Sequence, residues 1–157
     1  MTDQISLGED SNIPGAPYRR RLPDTRASVT HKFEIGRLKG YVTVGLYPDG
    51  RPGEVFIKIA QHGSTISGLV DAISVLTSLA LQYGVPVENL ARKFEFTRFE
   101  PSGWTPHPEI RRAHSLIDYV FRWLGMEFSE GYPQQSAKCD APAPRSDDAS
   151  VASRGDG

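Results

Sequence analysis

The hydrophobic period of the chain changes once, near Gly63, and this change constrains the fold more than any other feature. Before that glycine, apolar and polar residues alternate in short runs bounded by Gly and Pro, as in strands with one buried face. After it, apolar residues recur every three or four positions, as in amphipathic helices. Strands followed by helices indicate an α+β domain.

Three strand-like runs precede the change of period: Val29–Ile35, Tyr41–Tyr47 and Glu54–Ala60. The segment PDGRPG (48–53) supplies the turn between the second and third runs, because its glycines and Asp tolerate turn conformations. We therefore predict an antiparallel meander sheet of three or more strands with one buried face.

Three helices are predicted after the change, over Ser64–Tyr83, Pro86–Phe94 and from near Pro108 to Leu124. The second is short. The first and third should cover one face of the sheet, with the first helix contributing an apolar stripe. That stripe consists of Ile66, Leu69, Val70, Ile73, Leu76, Leu79, Ala80 and Tyr83.

Composition limits the organisation and the class of partner. A chain of 157 residues that is 38% hydrophobic can form one domain, predicted over 18–128, while the polar ends, 1–17 and 129–157, should be disordered. The net charge of −1 favours neither nucleic acid nor an anionic membrane. The N-terminus lacks the features of a signal peptide, and no long apolar span is evident, so we expect a cytoplasmic protein.

Reactive side chains are sparse. Cys139 is the single cysteine, which excludes an internal disulfide and a thiolate zinc site, and the four histidines lack metal-binding spacing. No motif combines a nucleophile with a base. We therefore predict neither catalytic nor metal-binding residues.

The segment HGSTISG (62–68) lies where a strand should give way to a helix. Free amides at such a junction favour an anion, and a nucleotide phosphate would fit this preference. A purely structural interpretation is also open: the first glycine makes a turn, a serine caps the helix, and Gly68 allows close packing. The candidate anion-binding residues are Gly63, Ser64, Thr65 and Ser67.

Two further segments are candidates for contact with a protein partner. Arginines 19–21 and Arg26 form a basic cluster, which could also be a solvated linker. The stretch 93–110 holds more aromatic rings than a connection needs, although some should cover the core. The candidate docking residues are Arg21, Arg26, Arg98, Phe99 and Trp104.

Six blocks of sequence, taken in order, resemble one region of a known family. That region lies near the C-terminus of the adenosylcobalamin-dependent (class II) ribonucleotide reductases, in the domain family named after its Thr-Ser-Cys-Pro-Asp (TSCPD) motif. The resemblance covers about 18–128. The blocks are RRRLPDTRASVTHKFEIG (19–36), GYVTVGLYPDGRPGEVFI (40–57), GSTISGLVDAIS (63–74), SLALQYGVPVENLARKF (78–94), TRFEPSGWT (97–105) and IDYVFRWL (117–124).

The resemblance implies a link to the conversion of ribonucleoside diphosphates to deoxyribonucleotides. Family members have a large upstream barrel that holds adenosylcobalamin and the radical-bearing cysteine, and a cysteine-rich tail. Both are missing here, as is the name-giving motif. We therefore expect an accessory or regulatory module that binds no cofactor and docks on a reductase chain or another protein. The alternative is an anion-, nucleotide- or protein-binding module outside that pathway.

Overall fold

The computed structural model describes residues 17–60 and 63–132. The predicted disorder of the two ends concerns mostly residues outside these ranges. Cys139 also lies outside them. The described residues form an α+β fold, as the sequence predicts, with a three-stranded sheet, a two-stranded sheet and three helices.

The main sheet is the predicted antiparallel meander, in the order β1 (Ser28–Ile35), β2 (Leu38–Leu46) and β3 (Pro52–Ile59). Gly36 turns the chain between β1 and β2 with a positive φ of 56°, a conformation that glycine adopts without strain. Alternate residues of the three strands point into the core, which is the buried face that the period of two predicts. They include Phe33, Ile35, Val42, Val44, Val55, Ile57 and Ile59.

The helices are α1 (Thr65–Gln82), α2 (Val87–Phe94) and α3 (Leu116–Phe128). α3 is the central helix, with its residues from Leu116 to Gly125 all buried. It packs on the inner face of the sheet, where the rings of Tyr119 and Phe33 lie 5.6 Å apart. α2 covers α3 from the other side, through Phe94 and Phe121.

The prediction that a helix starts near Pro108 is wrong. Residues 103–104 (β4) and 112–113 (β5) pair as a small antiparallel ribbon, and α3 starts only at Leu116. The physical reason is local: His107 Nδ1 accepts hydrogen bonds from the amides of Glu109 and Ile110, which closes a turn where helix was expected. Ser115 then caps α3 by accepting from the Asp118 amide at 3.0 Å.

α1 buries a different face from the predicted stripe, of which only Val70 is buried. The helix lies along the outer edge of β3, where Ser74 Oγ accepts from the Ile57 amide at 3.1 Å and Ser78 Oγ from the Val55 amide at 2.9 Å. The small side chains of Ser74 and Ser78 can hydrogen-bond to these β3 amides, whereas leucine side chains at the same positions could not. The buried residues of α1 are Val70, Ser74, Thr77, Leu81 and Gln82.

The described residues continue four positions past the predicted domain end at 128. Tyr132 is buried, packs against Gly125 and donates a hydrogen bond to the Glu95 carboxylate. These contacts fasten the segment after α3 to α2.

Candidate functional site

The predicted anion-binding loop adopts the geometry of a helix cap. Gly63 has a positive φ of 71°, and Ser64 Oγ accepts from the Ser67 amide at 3.1 Å. Thr65 is the first, exposed residue of α1. The serine therefore satisfies one of the amides that an anion would use. This geometry agrees with the structural interpretation, and anion binding stays a prediction.

Gly68 does not serve close packing. Apart from Gly68 itself, its two neighbours and the backbone of its own helix, no described atom lies within 4 Å of the position that its Cβ would take. The glycine that does allow close packing is Gly125 in α3, where a Cβ would lie 2.8 Å from that of Ala91 and 2.9 Å from the Tyr132 ring. Tight contact between α2, α3 and the segment after it therefore depends on Gly125.

The basic cluster before β1 is mostly engaged within the chain. Arg26 forms an ion pair with Glu54 and donates to the carbonyls of Pro23 and Asp24. Arg19 Nε donates to Gln82 Oε1 at 2.7 Å, and the Arg20 guanidinium lies 4.5 Å from the centre of the Tyr47 ring. Arg21 is exposed. Arg26 thus already has partners within the chain, whereas Arg21 is exposed, and a docking role for either residue stays a prediction.

The loop after α2 presents an exposed aromatic surface, which we call the aromatic loop surface: Arg98, Phe99, Trp104 and Arg112. Phe99 is 46% exposed and Trp104 is 59% exposed, and the Arg112 guanidinium lies 5.8 Å from the centre of the Trp104 ring. The Trp104 carbonyl accepts from the Gly36 amide at 2.9 Å, which ties the loop to the β1–β2 turn. Exposed aromatics beside arginines are typical of protein contacts.

A buried carboxylate, which the sequence interpretation missed, holds this loop in place. Asp118 Oδ1 accepts from the Phe96 amide at 2.6 Å, and Oδ2 accepts from the His114 amide at 2.8 Å. The buried Arg122 lies 3.5 Å from Oδ2 and donates to the Arg112 carbonyl. Both ends of the aromatic loop are thus fixed to one turn of α3. The Ser-x-x-Asp pattern at 115–118 is the sequence signal that could have revealed this helix start.

A second cluster missed by the sequence interpretation joins β1, the turn at His107 and α3. His31 Nε2 and the Tyr119 hydroxyl are 2.9 Å apart, and the His31 ring stacks on Trp123 at 4.7 Å and meets His107 at 5.8 Å. Burial lowers the pKa of both histidines and raises the pKa of Tyr119 to about 12. Neutral rings are therefore favoured at this contact.

The described residues do not suit a metal or a corrinoid. Within them, no group of three or more His, Cys, Asp or Glu side chains could hold a metal ion. Three open grooves each enclose about 400 Å³, a size suited to small ligands. Adenosylcobalamin, with its corrin ring and nucleotide arms, does not fit such grooves, so we derive no chemistry through it.

Comparison with known proteins assigns the chain to a family. The family model described as the TSCPD domain matches residues 16–128. A vitamin B12-dependent ribonucleotide reductase of Rhodopirellula baltica is 56% identical over 115 residues, which is 73% of this chain and 11% of that protein. Proteins of the same name from Streptantibioticus cattleyicolor and Bradyrhizobium diazoefficiens are 47% and 40% identical, over 71% and 70% of this chain and 19% and 9% of their own.

No solved structure matches the chain significantly. The chain spans less than a fifth of the length of these curated relatives. The matched residues nevertheless include all three strands of the main sheet and all three helices. The chain therefore belongs to the TSCPD domain family, in the form carried by vitamin B12-dependent ribonucleotide reductases.

Proposed function

We propose that this chain is an accessory or regulatory module of ribonucleotide reduction, which serves deoxyribonucleotide synthesis for DNA replication and repair in the cytoplasm. Its identity of 40–56% to three proteins named vitamin B12-dependent ribonucleotide reductase is the observation that carries the proposal. The partner that we propose is a reductase chain of that kind.

The inventory of thiols supports a role other than catalysis for the residues of this chain. Reduction of a ribonucleotide needs one thiol to carry the radical and a further pair to supply two electrons as they form a disulfide. The sequence contains one cysteine, Cys139. In the proposal, therefore, the reductase partner supplies the thiols and the cofactor, while this chain supplies binding energy.

The aromatic loop surface is the contact that we propose for the reductase. Phe99 and Trp104 are large, exposed rings on a loop whose backbone is fixed by Asp118, so little conformational entropy would be lost on binding. Arg98, an exposed residue of the same loop, adds a cation with five donors for an acidic or carbonyl-rich partner surface.

The test is capture of a reductase by the tagged chain, first from cell extract with mass spectrometry and then with a purified vitamin B12-dependent reductase. We expect the wild-type chain to retain the reductase and the double variant Arg98→Ala, Trp104→Ala to release it. Tyr41→Ala is the matched control, since it removes an exposed ring from the open face of the sheet.

Failure to enrich a reductase would overturn the proposal. Loss of capture by Tyr41→Ala and not by the loop variant would overturn the assignment of the surface. Binding of phosphate or a nucleoside diphosphate to the chain alone, abolished by Ser64→Ala, would instead favour the anion-binding alternative.

A further inference from the structure

The two edges of the main sheet differ in how their main-chain groups are satisfied. Along β3, the groups that face away from β2 are bonded to side chains of α1: the amides of Val55 and Ile57 to serines, and the carbonyl of Gly53 to Gln82. Along β1, the described residues offer no such partners. One edge is therefore closed by side chains, and the other is open.

Four residues of β1 turn their main-chain groups to the open edge. The Leu46 amide of β2 donates to the Ala27 carbonyl, so the odd-numbered residues of β1 face β2. Because the main-chain groups of an antiparallel strand alternate in direction, the even-numbered residues face outward. They are Ser28, Thr30, Lys32 and Glu34. Among the residues that the structure describes, none hydrogen-bonds to the amides or carbonyls of these four.

β1 lacks the backbone features that usually protect an edge strand. Many proteins blunt such an edge with a bulge, a proline or a very short strand. β1 is eight residues long, contains no proline and pairs with β2 without a shift of register. The charges of Lys32 and Glu34 disfavour indiscriminate pairing, but they do not block the main chain. The edge is therefore suited to a specific added strand.

The open edge ends at the aromatic loop surface. The next outward amide after Glu34 is that of Gly36, and it donates to the Trp104 carbonyl at 2.9 Å. The loop thus occupies the place of a neighbouring strand at the end of β1 and leaves the positions from Ser28 to Glu34 open. A strand added along β1 would therefore end beside Trp104.

We propose that an extended segment of the reductase partner pairs with β1 from Ser28 to Glu34, as a fourth strand of the main sheet, with one end against the aromatic loop surface. An extended chain carries donors and acceptors at the spacing of this edge, about 7 Å between alternate residues. Main-chain hydrogen bonds would supply affinity, and alternate side chains would supply specificity. This inference rests on the proposed function, because its partner is the reductase proposed there.

The surroundings of β1 define the side chains that the added strand should carry. On the inner face its residues would lie beside Val29 and His31, which are half-buried, and the His31 ring stacks on Trp123 and meets His107. Apolar or aromatic side chains suit this face, since they would complete the cover of these rings. On the open face, Lys32 favours an acidic neighbour. The segment should therefore alternate apolar with polar residues and include an acidic one.

Capture of the purified reductase by variants at Thr30 tests the proposal. Proline is tolerated on an edge strand where its missing N–H would face solvent, and circular dichroism checks that the sheet of Thr30→Pro is intact. We expect Thr30→Pro to weaken capture by about tenfold or more, because it removes one hydrogen bond and its ring crowds the adjoining strand. Thr30→Ala loses the same hydroxyl, which bonds to Thr43, but keeps the amide, so its effect should be much smaller. Capture by Thr30→Pro at wild-type strength would overturn strand addition.

Hydrogen exchange read at single residues tests the same edge without a substitution. In the free chain, the even-numbered amides from Ser28 to Glu34 should exchange quickly and the odd-numbered amides, which face β2, slowly. Bound reductase should slow the even-numbered set by about tenfold or more, so that both sets become protected. Unchanged exchange of the even-numbered amides in a complex that forms would overturn the proposal, even if Thr30→Pro does not fold.

The outcomes separate this inference from the proposed function. A chain that captures the reductase without protection of the β1 edge overturns strand addition alone, whereas a chain that captures no reductase overturns both. Protection of the edge that appears in the chain alone, as its concentration rises, would assign the edge to a second copy and overturn the assignment to a reductase segment. Protection that requires the reductase and is lost in Thr30→Pro supports both proposals.

Discussion

The hydroxyl of Ser78 closes the outer edge of the sheet at Val55. Its oxygen accepts a hydrogen bond from the Val55 amide at 2.9 Å, and its hydroxyl has two carbonyl acceptors within reach, that of Ser74 at 2.8 Å and that of Val55 at 3.3 Å. A sheet edge is a row of unpaired amides and carbonyls that another strand can join. One serine thus accepts the amide hydrogen of an edge residue and lies within hydrogen-bond reach of the carbonyl of the same residue.

Ser78→Ala should therefore lower the free energy of unfolding by about 1–3 kcal/mol, because it leaves the Val55 amide without its partner. Urea denaturation followed by circular dichroism measures the change. Thr65→Ala removes an exposed hydroxyl from the same helix and should have little effect. Equal stability of the two variants would show that water replaces the serine at no cost.

The buried Asp118 should contribute more than any exposed carboxylate. Asp118→Ala removes the acceptor of two amides and leaves the fully buried Arg122 uncompensated, so we expect a loss of about 3–5 kcal/mol. Asp71→Ala breaks an exposed ion pair with Lys58 and should cost at most about 1 kcal/mol. Thermal denaturation of the two variants measures both losses of stability. Similar losses for Asp118→Ala and Asp71→Ala would contradict the prediction.

His31 and His107 should make the fold less stable in acid. Burial lowers both pKa values below 6.5; the neighbouring His107 adds to the shift of His31, while Glu127 opposes it. The unfolded chain therefore takes up protons before the folded one, so this contribution is fully present above pH 6.5 and is lost as the pH falls through 6.5 toward the lowered values.

Urea denaturation from neutral pH down to about pH 5 checks this direction. The double variant His31→Gln, His107→Asn should show a flatter dependence, since neither new side chain titrates and the Asn oxygen can still accept the turn amides. An unchanged pH dependence in the double variant would refute the assignment to these histidines.

Two glycines should respond oppositely to alanine. Gly68 lies inside α1 with no described atom near the site of a Cβ, so Gly68→Ala should raise the free energy of unfolding by about 0.5–1 kcal/mol. Gly125→Ala should lower it, because the new methyl group would meet Ala91 and the Tyr132 ring. The denaturant midpoints of the two variants measure these changes. Midpoints that both shift in the same direction would contradict the close-packing role of Gly125.

The hydrophobic period predicts the three strands and the main helices well, because it reports which residues avoid water. It does not report which apolar face a helix buries. In α1 both sides are apolar enough to be buried. The side that is buried carries Ser74 and Ser78, whose hydroxyls accept hydrogen bonds from β3 amides, and these contacts exist only in the folded chain. The start of α3 was missed for a related reason, since the turn at His107 depends on one side-chain acceptor.

The candidate site was predictable only in part. Phe99 and Trp104 stood out as an excess of aromatics, and both are exposed. The contacts that fix them could not be read from the sequence, because Asp118 lies 22 residues beyond the Phe96 amide that it binds. The pairing of Arg26 with Glu54 could not be predicted either, because the two residues are distant in sequence and adjacent only in the folded chain.

The buried Tyr132 also determines where a shortened version of this chain can safely end. The family match stops at residue 128, and a truncation there would remove the ring that covers Gly125 and the hydroxyl that donates to Glu95. The newly bared surface of α2 and α3 would be apolar and prone to aggregation. For expression and crystallisation, the boundary should therefore lie beyond Tyr132.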